Sequence, residues 1–443
     1  MGCTLRYERM PLRQGTEGPT EHIDMPLPLQ LTRPVSPALR QALIPCGLAL
    51  ALTVCVDTPV RAEAPPVLSA AKVLPAALRN GPHHEVASRV ENDGVLNVYR
   101  LQTDYGTFPV RGTDLLRLRI RELDVLAKLN EIKVPGTYLK AAGGSAIAPA
   151  RGAFRLVTQP GKTVRGAAQG VRRFAKRIGG GFSGQSKGHR PDGFVARLSG
   201  FSDAKRKIAA EVGADPYTRF EPLRRSLAAL ARARAAGQLS TRVGFAFVTG
   251  PTSIAISVGK RVDKLRRDLR DKSARQLNRL NRAALLEMGV EPATVDAFLA
   301  NEYLTPTDKT IIVDALKALD GAGGRDVYVA YAAGIANEDA GFATRRRAEM
   351  IAAYHARIRP VRGFVSLGGV PAVRVRGKLV VLMPADYLAW TPETAQAMGA
   401  MIKARRALSP RPAADLVLTG VASRRTLDRL RRNGWRVRQR VKL

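Results

Sequence analysis

All three cysteines of the chain, Cys3, Cys46 and Cys55, fall within its first 55 residues, and two of them lie in the uncharged run Ala42–Val56. That run follows Arg33 and Arg40 and is followed by Val60-Arg61-Ala62-Glu63-Ala64, the order of a secretory leader. It has 15 residues and contains Pro45, so it is too short to be read as a permanent span of a ~30 Å bilayer, which needs roughly 20 apolar residues. Val60-Arg61-Ala62 and Ala62-Glu63-Ala64 both place small residues where a signal peptidase reads, and the mature chain is expected to begin near Glu63 or Pro65. Residues 1–64 are therefore read as a signal peptide, with Met25 as an alternative start. Lipidation at Cys55 is disfavoured because Val54 stands where a lipobox carries a small residue. The processed chain would hold no thiol and could form no disulfide. Its remaining length of about 380 residues is enough for a hydrophobic core to hold it unaided.

The pattern downstream predicts an α+β protein that is predominantly α-helical. Residues 65–84, rich in Pro and Ala, read as a tether. Residues 85–140 alternate Val86, Val90, Val95, Val98 and Leu101 around Asn92-Asp93-Gly94, which predicts a small N-terminal β-meander of about three strands. Asp114 then caps a helix whose Leu116, Ile120, Leu123 and Leu126 share one face. Residues 141–200 are Gly-rich and basic, with a short amphipathic helix near Val164–Ile178. Residues 201–360 read as a helical middle domain. Ser202 caps a helix to Val212, a turn at Asp215-Pro216-Tyr217-Thr218 precedes another, and one long helix runs from Val262 to Met288. The uncharged stretch Val243–Gly259 fits a buried hairpin; Gly250-Pro251 at its centre disfavours a membrane helix. Residues 361–443 alternate strand and helix patterns as a C-terminal α/β module, ending on a helix capped by Ser423, a stop at Gly434 and a strand from Trp435.

No catalytic motif emerges. Gly161-Lys162-Thr163 ends like a phosphate loop, but Leu156 occupies the position of the required glycine. Ser69-Ala70-Ala71-Lys72 and Ser202-Asp203-Ala204-Lys205 match a nucleophile pattern too short to weigh in so basic a chain, and the accompanying Lys-Thr-Gly is missing. The histidines His83, His84, His189 and His355 are scattered and read as surface residues, so no metal site and no cofactor is expected. Two carboxylate sets, Glu211 with Asp215 and Glu221, and Asp386 with Glu393, are left as groups that folding could bring together.

Charge is the remaining signal. Lys and Arg number 72 against 37 Asp and Glu, a formal net charge of +35. From Arg151 to Lys207 there are 14 basic and two acidic residues, and from Arg424 to Lys442 nine basic residues face Asp428 alone. Phenylalanines such as Phe174 and Phe182 in the first tract and the lone Trp435 in the second do not make the interleaved aromatic face that would stack nucleobases, and nucleic acid is set aside for an exported chain. The partners expected are an anionic membrane surface or an acidic envelope polymer, such as anionic phospholipid or lipopolysaccharide. Arg165, Arg172, Arg173, Lys176, Arg177, Arg431, Arg432 and Arg436 are the candidate contacts. A solvated, compositionally biased surface gives the same charge with no ligand.

The octapeptide Glu211-Val212-Gly213-Ala214-Asp215-Pro216-Tyr217-Thr218, with Leu115–Leu126 and the ending Gly434-Trp435-Arg436-Val437, resembles a set of exported bacterial proteins of unassigned function. The resemblance implies export and this order of segments, and no activity. The expectation is an exported, periplasmic or extracellular envelope protein, soluble or peripherally attached, that binds acidic surfaces. The alternative is an envelope hydrolase with its site between the helical and C-terminal modules.

Overall fold

The computed structural model describes residues 62–130, 199–235 and 261–443. Within them helix outweighs strand, 52% against 20%, in a mixed α/β architecture with two main sheets. Residues 1–61 of the expected leader, the basic segment through residue 198 and the Val243–Gly259 stretch lie outside the described residues, whereas Glu63, expected within the leader, bonds to Trp390 and Ser423.

The N-terminal sheet starts earlier than the sequence suggests. Residues expected as a tether hold β1 (Val67–Ser69), the one-turn helices α1 (Ala70–Val73) and α2 (Ala76–Arg79), and β2 (Asn80–Gly81). Pro and Ala content hid this, but Leu68 pairs with Val90 across the ladder, and Ala70 and Leu74 are buried. The strands β3 (His84–Val86), β4 (Arg89–Asn92), β5 (Asn97–Thr103) and β6 (Gly106–Arg111) complete an antiparallel sheet in which β5 pairs β6 on one side and β3 and β4 on the other. His84, expected at the surface, is buried in this sheet.

Helix α3 (Thr113–Asn130) buries Leu116, Leu123 and Leu126 against the sheet, as its spacing predicts. Asp114 lies inside its first turn instead of capping it. The meander has no core of its own. Its Val90, Tyr99 and Leu101 pack with Ile208, Leu223 and Leu227 from α4 (Ser199–Glu211) and α5 (Glu221–Ala235). Ser202, expected as a cap, is an interior residue of α4, which begins at Ser199.

The long helix expected from Val262 to Met288 is two, α6 (Arg261–Asp271) and α7 (Ala274–Glu287). The break is a capping box: Ser273 Oγ accepts from Gln276 N at 3.3 Å, and Gln276 Oε1 accepts from Ser273 N at 2.8 Å. Helices α8 (Pro292–Ala300), α9 (Pro306–Lys317), α10 (Arg325–Ala333) and α11 (Glu338–Arg357) follow.

The C-terminal sheet has five strands, lying in the order Trp435–Arg438, Ala413–Leu418, Lys378–Met383, Val370–Val375 and Gly363–Leu367. The hairpin β7 (Gly363–Leu367) to β8 (Val370–Val375) turns on Gly368 and Gly369, both at positive φ (59° and 86°), as a two-residue turn between twisted strands requires. After β9 (Lys378–Met383) and the short β10 (Tyr387–Leu388), helix α12 (Pro392–Arg406) crosses to β11 (Ala413–Leu418). The short β12 (Val421–Ala422) and helix α13 (Arg424–Arg432) then lead to β13 (Trp435–Arg438), so β9, β11 and β13 run parallel.

This sheet is covered on both faces, and the run Leu379-Val380-Val381-Leu382-Met383 is apolar for that reason. Leu379, Val381 and Met383 pack with Met398, Met401, Leu430 and Trp435 from α12, α13 and β13. Val380 and Leu382 pack with Tyr328, Met350 and Tyr354 from α10 and α11. The boundary expected at residue 360 thus divides the chain but not the core. No helix among the described residues is long and apolar enough to cross a membrane.

Candidate functional site

The basic residues the sequence singles out near its end sit on a constructed surface. Ser423 caps α13, its Oγ accepting from Thr426 N at 3.1 Å, and Leu430 and Trp435 are buried beneath. With Leu430 held inward, Arg431 and Arg432 are left in solvent. The end of α12 lies alongside. Arg405 is buried there, donating through Nε to Pro412 O at 2.9 Å and through Nη1 to Asn433 O at 2.8 Å, with its guanidinium 5.5 Å from the Trp435 ring. Arg406 Nη2 donates to Asn433 Oδ1 at 2.6 Å and stays exposed, as does Arg411 in the following loop. Burial and then the fields of Arg411 and Arg406 push the Arg405 pKa down.

Arg406 and Arg411 act on the buried Arg405 guanidinium, Arg431 and Arg432 precede Asn433, to which Arg405 and Arg406 bond, and none of these four exposed arginines makes an ion pair among the described residues. Arg406, Arg431 and Arg432 stand in last helical turns, where cations gain 0.3–1 kcal/mol each from the helix dipole. That gain explains their tolerance, not their unpaired clustering.

Arg436 is not part of this group. It alternates with buried Trp435 and so stands on the other face of β13, in register with Asp415, which already holds Lys378 and Arg438. Arg406 and Arg411 were missed because their sequence context, Arg405-Arg406 followed by Pro410-Arg411-Pro412, gives no sign that it packs beside Asn433. Arg165, Arg172, Arg173, Lys176 and Arg177 lie outside the described residues.

A second feature is an open cleft of ≈ 390 Å³ lined by Lys205, Tyr217, Arg219, Glu221, Arg224 and Glu338 among others. Its wall is the turn predicted at Asp215: Asp215 Oδ1 accepts from Tyr217 N at 2.9 Å and from Thr307 Oγ1 at 2.6 Å. Burial raises the Asp215 pKa to about 6 and lowers that of Lys205, whose ammonium makes no hydrogen bond or ion pair among the described residues. Ser202 does not line this cleft, so the Ser-x-x-Lys pair is not assembled there. Nor do the three carboxylates act together: Glu211 is paired with Arg234, Glu221 with Arg224 and Arg225, and Asp215 with Thr307.

The third feature lies where the hydrolase reading expects a site, between the start of α3, α11 and the carboxyl ends of β9 and β11. The cavity there is ≈ 20 Å³, room for a water molecule. Half-buried Asp386 accepts from Asn97 N at 3.0 Å and from Thr113 N at 3.0 Å, and desolvation raises its pKa to about 6. Asp114 is held by Arg117 and Arg346, and Asp339 by Arg111. Glu393 is not in its lining.

Of the histidines, His355 Nδ1 accepts from Val361 N at 3.1 Å, and His83 lies 3.5 Å from Asp104. Among the described residues no three His, Cys, Asp or Glu side chains are grouped as a metal site would need. Comparison with protein-family models, with characterised proteins and with solved structures gave no match to this chain.

Proposed function

We propose that this chain is an exported, cationic envelope protein, non-enzymatic, that adheres to anionic surfaces through the cluster of Arg406, Arg411, Arg431 and Arg432, reinforced by the basic segment at Arg165–Arg177. The observation that carries the reading is that these four exposed guanidiniums converge on the ends of α12 and α13 without an acidic partner among the described residues. Some surface arginines elsewhere in the same fold, such as Arg270 and Arg282, sit on Asp271 and Asp296, while Arg267, Arg275 and Arg279, without an ion pair among the described residues, are spread along α6 and α7. Each cation brought against an anionic bilayer contributes about 1 kcal/mol, so four supply about 4 kcal/mol before the central segment is counted. The leader-like run Ala42–Val56 supports the location.

The test is adsorption of the purified protein to vesicles containing phosphatidylglycerol, compared with phosphatidylcholine alone, as salt is raised. Binding to the anionic vesicles at low salt that fades by about 0.5 M, where screening acts within a few ångströms, is expected. Equal binding to neutral vesicles, or none to either, would contradict it. The hydrolase alternative draws no support from a water-sized cavity whose carboxylates are all committed to partners.

A further inference from the structure

Two cuts are compatible with the small residues at the end of the leader, one after Ala62 and one after Ala64. They differ by the dipeptide Glu63-Ala64, and the fold treats those two residues differently. Glu63 N donates to Trp390 O at 2.9 Å. The Glu63 carboxylate accepts from Trp390 N and from the hydroxyl of Ser423, the residue that caps α13. An anion at that position is also favoured by the helix dipole. Ala64 and Pro65, by contrast, are exposed, and the chain is next held where Pro66 O accepts from Asn92 N at 3.1 Å ahead of β1. Loss of Glu63 would leave the main-chain N–H of a buried tryptophan without its acceptor and the cap hydroxyl with Thr426 Oγ1 alone to accept from it.

We infer that the leader is removed between Ala62 and Glu63, so that Glu63 becomes the first residue of the mature protein and its new amino group stays on the carbonyl of Trp390. This rests on the export reading above. The cut does not undo the anchor: an α-ammonium keeps its donors, and its hydrogen bond to the carbonyl becomes charge-assisted. The competing bond, Ala64–Pro65, is a tertiary amide whose nitrogen lies in the proline ring and carries no hydrogen, a poor substrate for a peptidase that must seat both flanking residues.

The experiment is N-terminal sequencing and intact-mass measurement of the full gene product recovered from the periplasm or medium of an export-competent bacterial host, alongside the variant Ala64→Leu. Leucine at position 64 blocks a cut after that residue but leaves the Ala62–Glu63 bond intact, and the position is exposed, so folding is not disturbed. A mature chain beginning Glu-Ala-Pro-Pro, with Ala64→Leu processed as fast as the parent, is expected. A chain beginning at Pro65, or a precursor that accumulates in Ala64→Leu, would overturn the inference while leaving export standing. An uncut chain confined to the cytoplasm would overturn both.

Discussion

Arg345 lies between Asp308 Oδ1 at 3.3 Å and Glu349 Oε1 at 3.1 Å, with all three side chains buried. Glu349 also takes Arg346 at 3.0 Å, and Arg346 reaches Asp114 at 2.9 Å, so α11 is tied to α9 and to the start of α3. Removing one member of such a cluster leaves an uncompensated buried charge. Arg345→Met is expected to cost about 3–5 kcal/mol in denaturant melts, whereas Arg270→Ala, on an exposed pair, should stay within about 0.5 kcal/mol. Asp386 gives a pH signature. Its pKa is raised by burial to about 6 in the folded chain, above the ordinary 3.8, so between those values the folded state holds a proton the unfolded state has released. Stability then falls as pH rises from about 4 to about 6 and is flat above. Urea melts across that window should show a shallower fall for Asp386→Asn; an unchanged slope would remove the assignment. Asp215 titrates in the same direction, so the slope is reduced and not abolished. Both aspartates were visible in the sequence as candidates. Their partners were not, because the donors to Asp386 lie 289 and 273 residues away and only folding identifies them.

At the scale of elements, periodic segments bounded by strong caps were legible. The helix at Pro292–Ala300, the strand at Gly363–Leu367 and the Ser423-capped helix ending at Arg432 occur where spacing, Pro and Gly place them. Where two signals competed, the weaker one was decisive. The apolar positions Val262, Leu265, Leu269, Leu277 and Leu280 run through Ser273 as if through one helix, yet the Ser-x-x-Gln box at Ser273 and Gln276 stops and restarts it. Leu280 is in fact 47% exposed, which a single inward face would not leave. Ser273→Ala should therefore destabilise by about 1 kcal/mol, read from the urea midpoint, although the side chain's hydrogen bond among the described residues is local, to Gln276. The N-terminal strand β1 was illegible for the opposite reason. Three residues next to prolines carry almost no period, and β1 exists because β4 offers it an edge.

For the whole molecule the question is whether attraction to acidic surfaces comes from the diffuse excess of 35 positive charges or from their placement. The two differ in a measurable way because the fold offers a matched control. Arg267, Arg275 and Arg279 are exposed on α6 and α7 without an ion pair among the described residues, as are Arg406, Arg431 and Arg432 at the other end of the chain. Changing either trio to glutamate alters the net charge by the same amount. A nonspecific field, screened over about 8 Å at physiological salt, would weaken both variants alike. A docking surface confined to the ends of α12 and α13 predicts a loss of at least about 100-fold in affinity for phosphatidylglycerol vesicles in the Arg406, Arg431, Arg432 variant, from about 1 kcal/mol per cation removed. The Arg267, Arg275, Arg279 variant should lose a few-fold at most. Vesicle co-sedimentation at fixed salt separates the cases: equal losses would return the charge to composition, and a selective loss would place the contact surface on the last two helices.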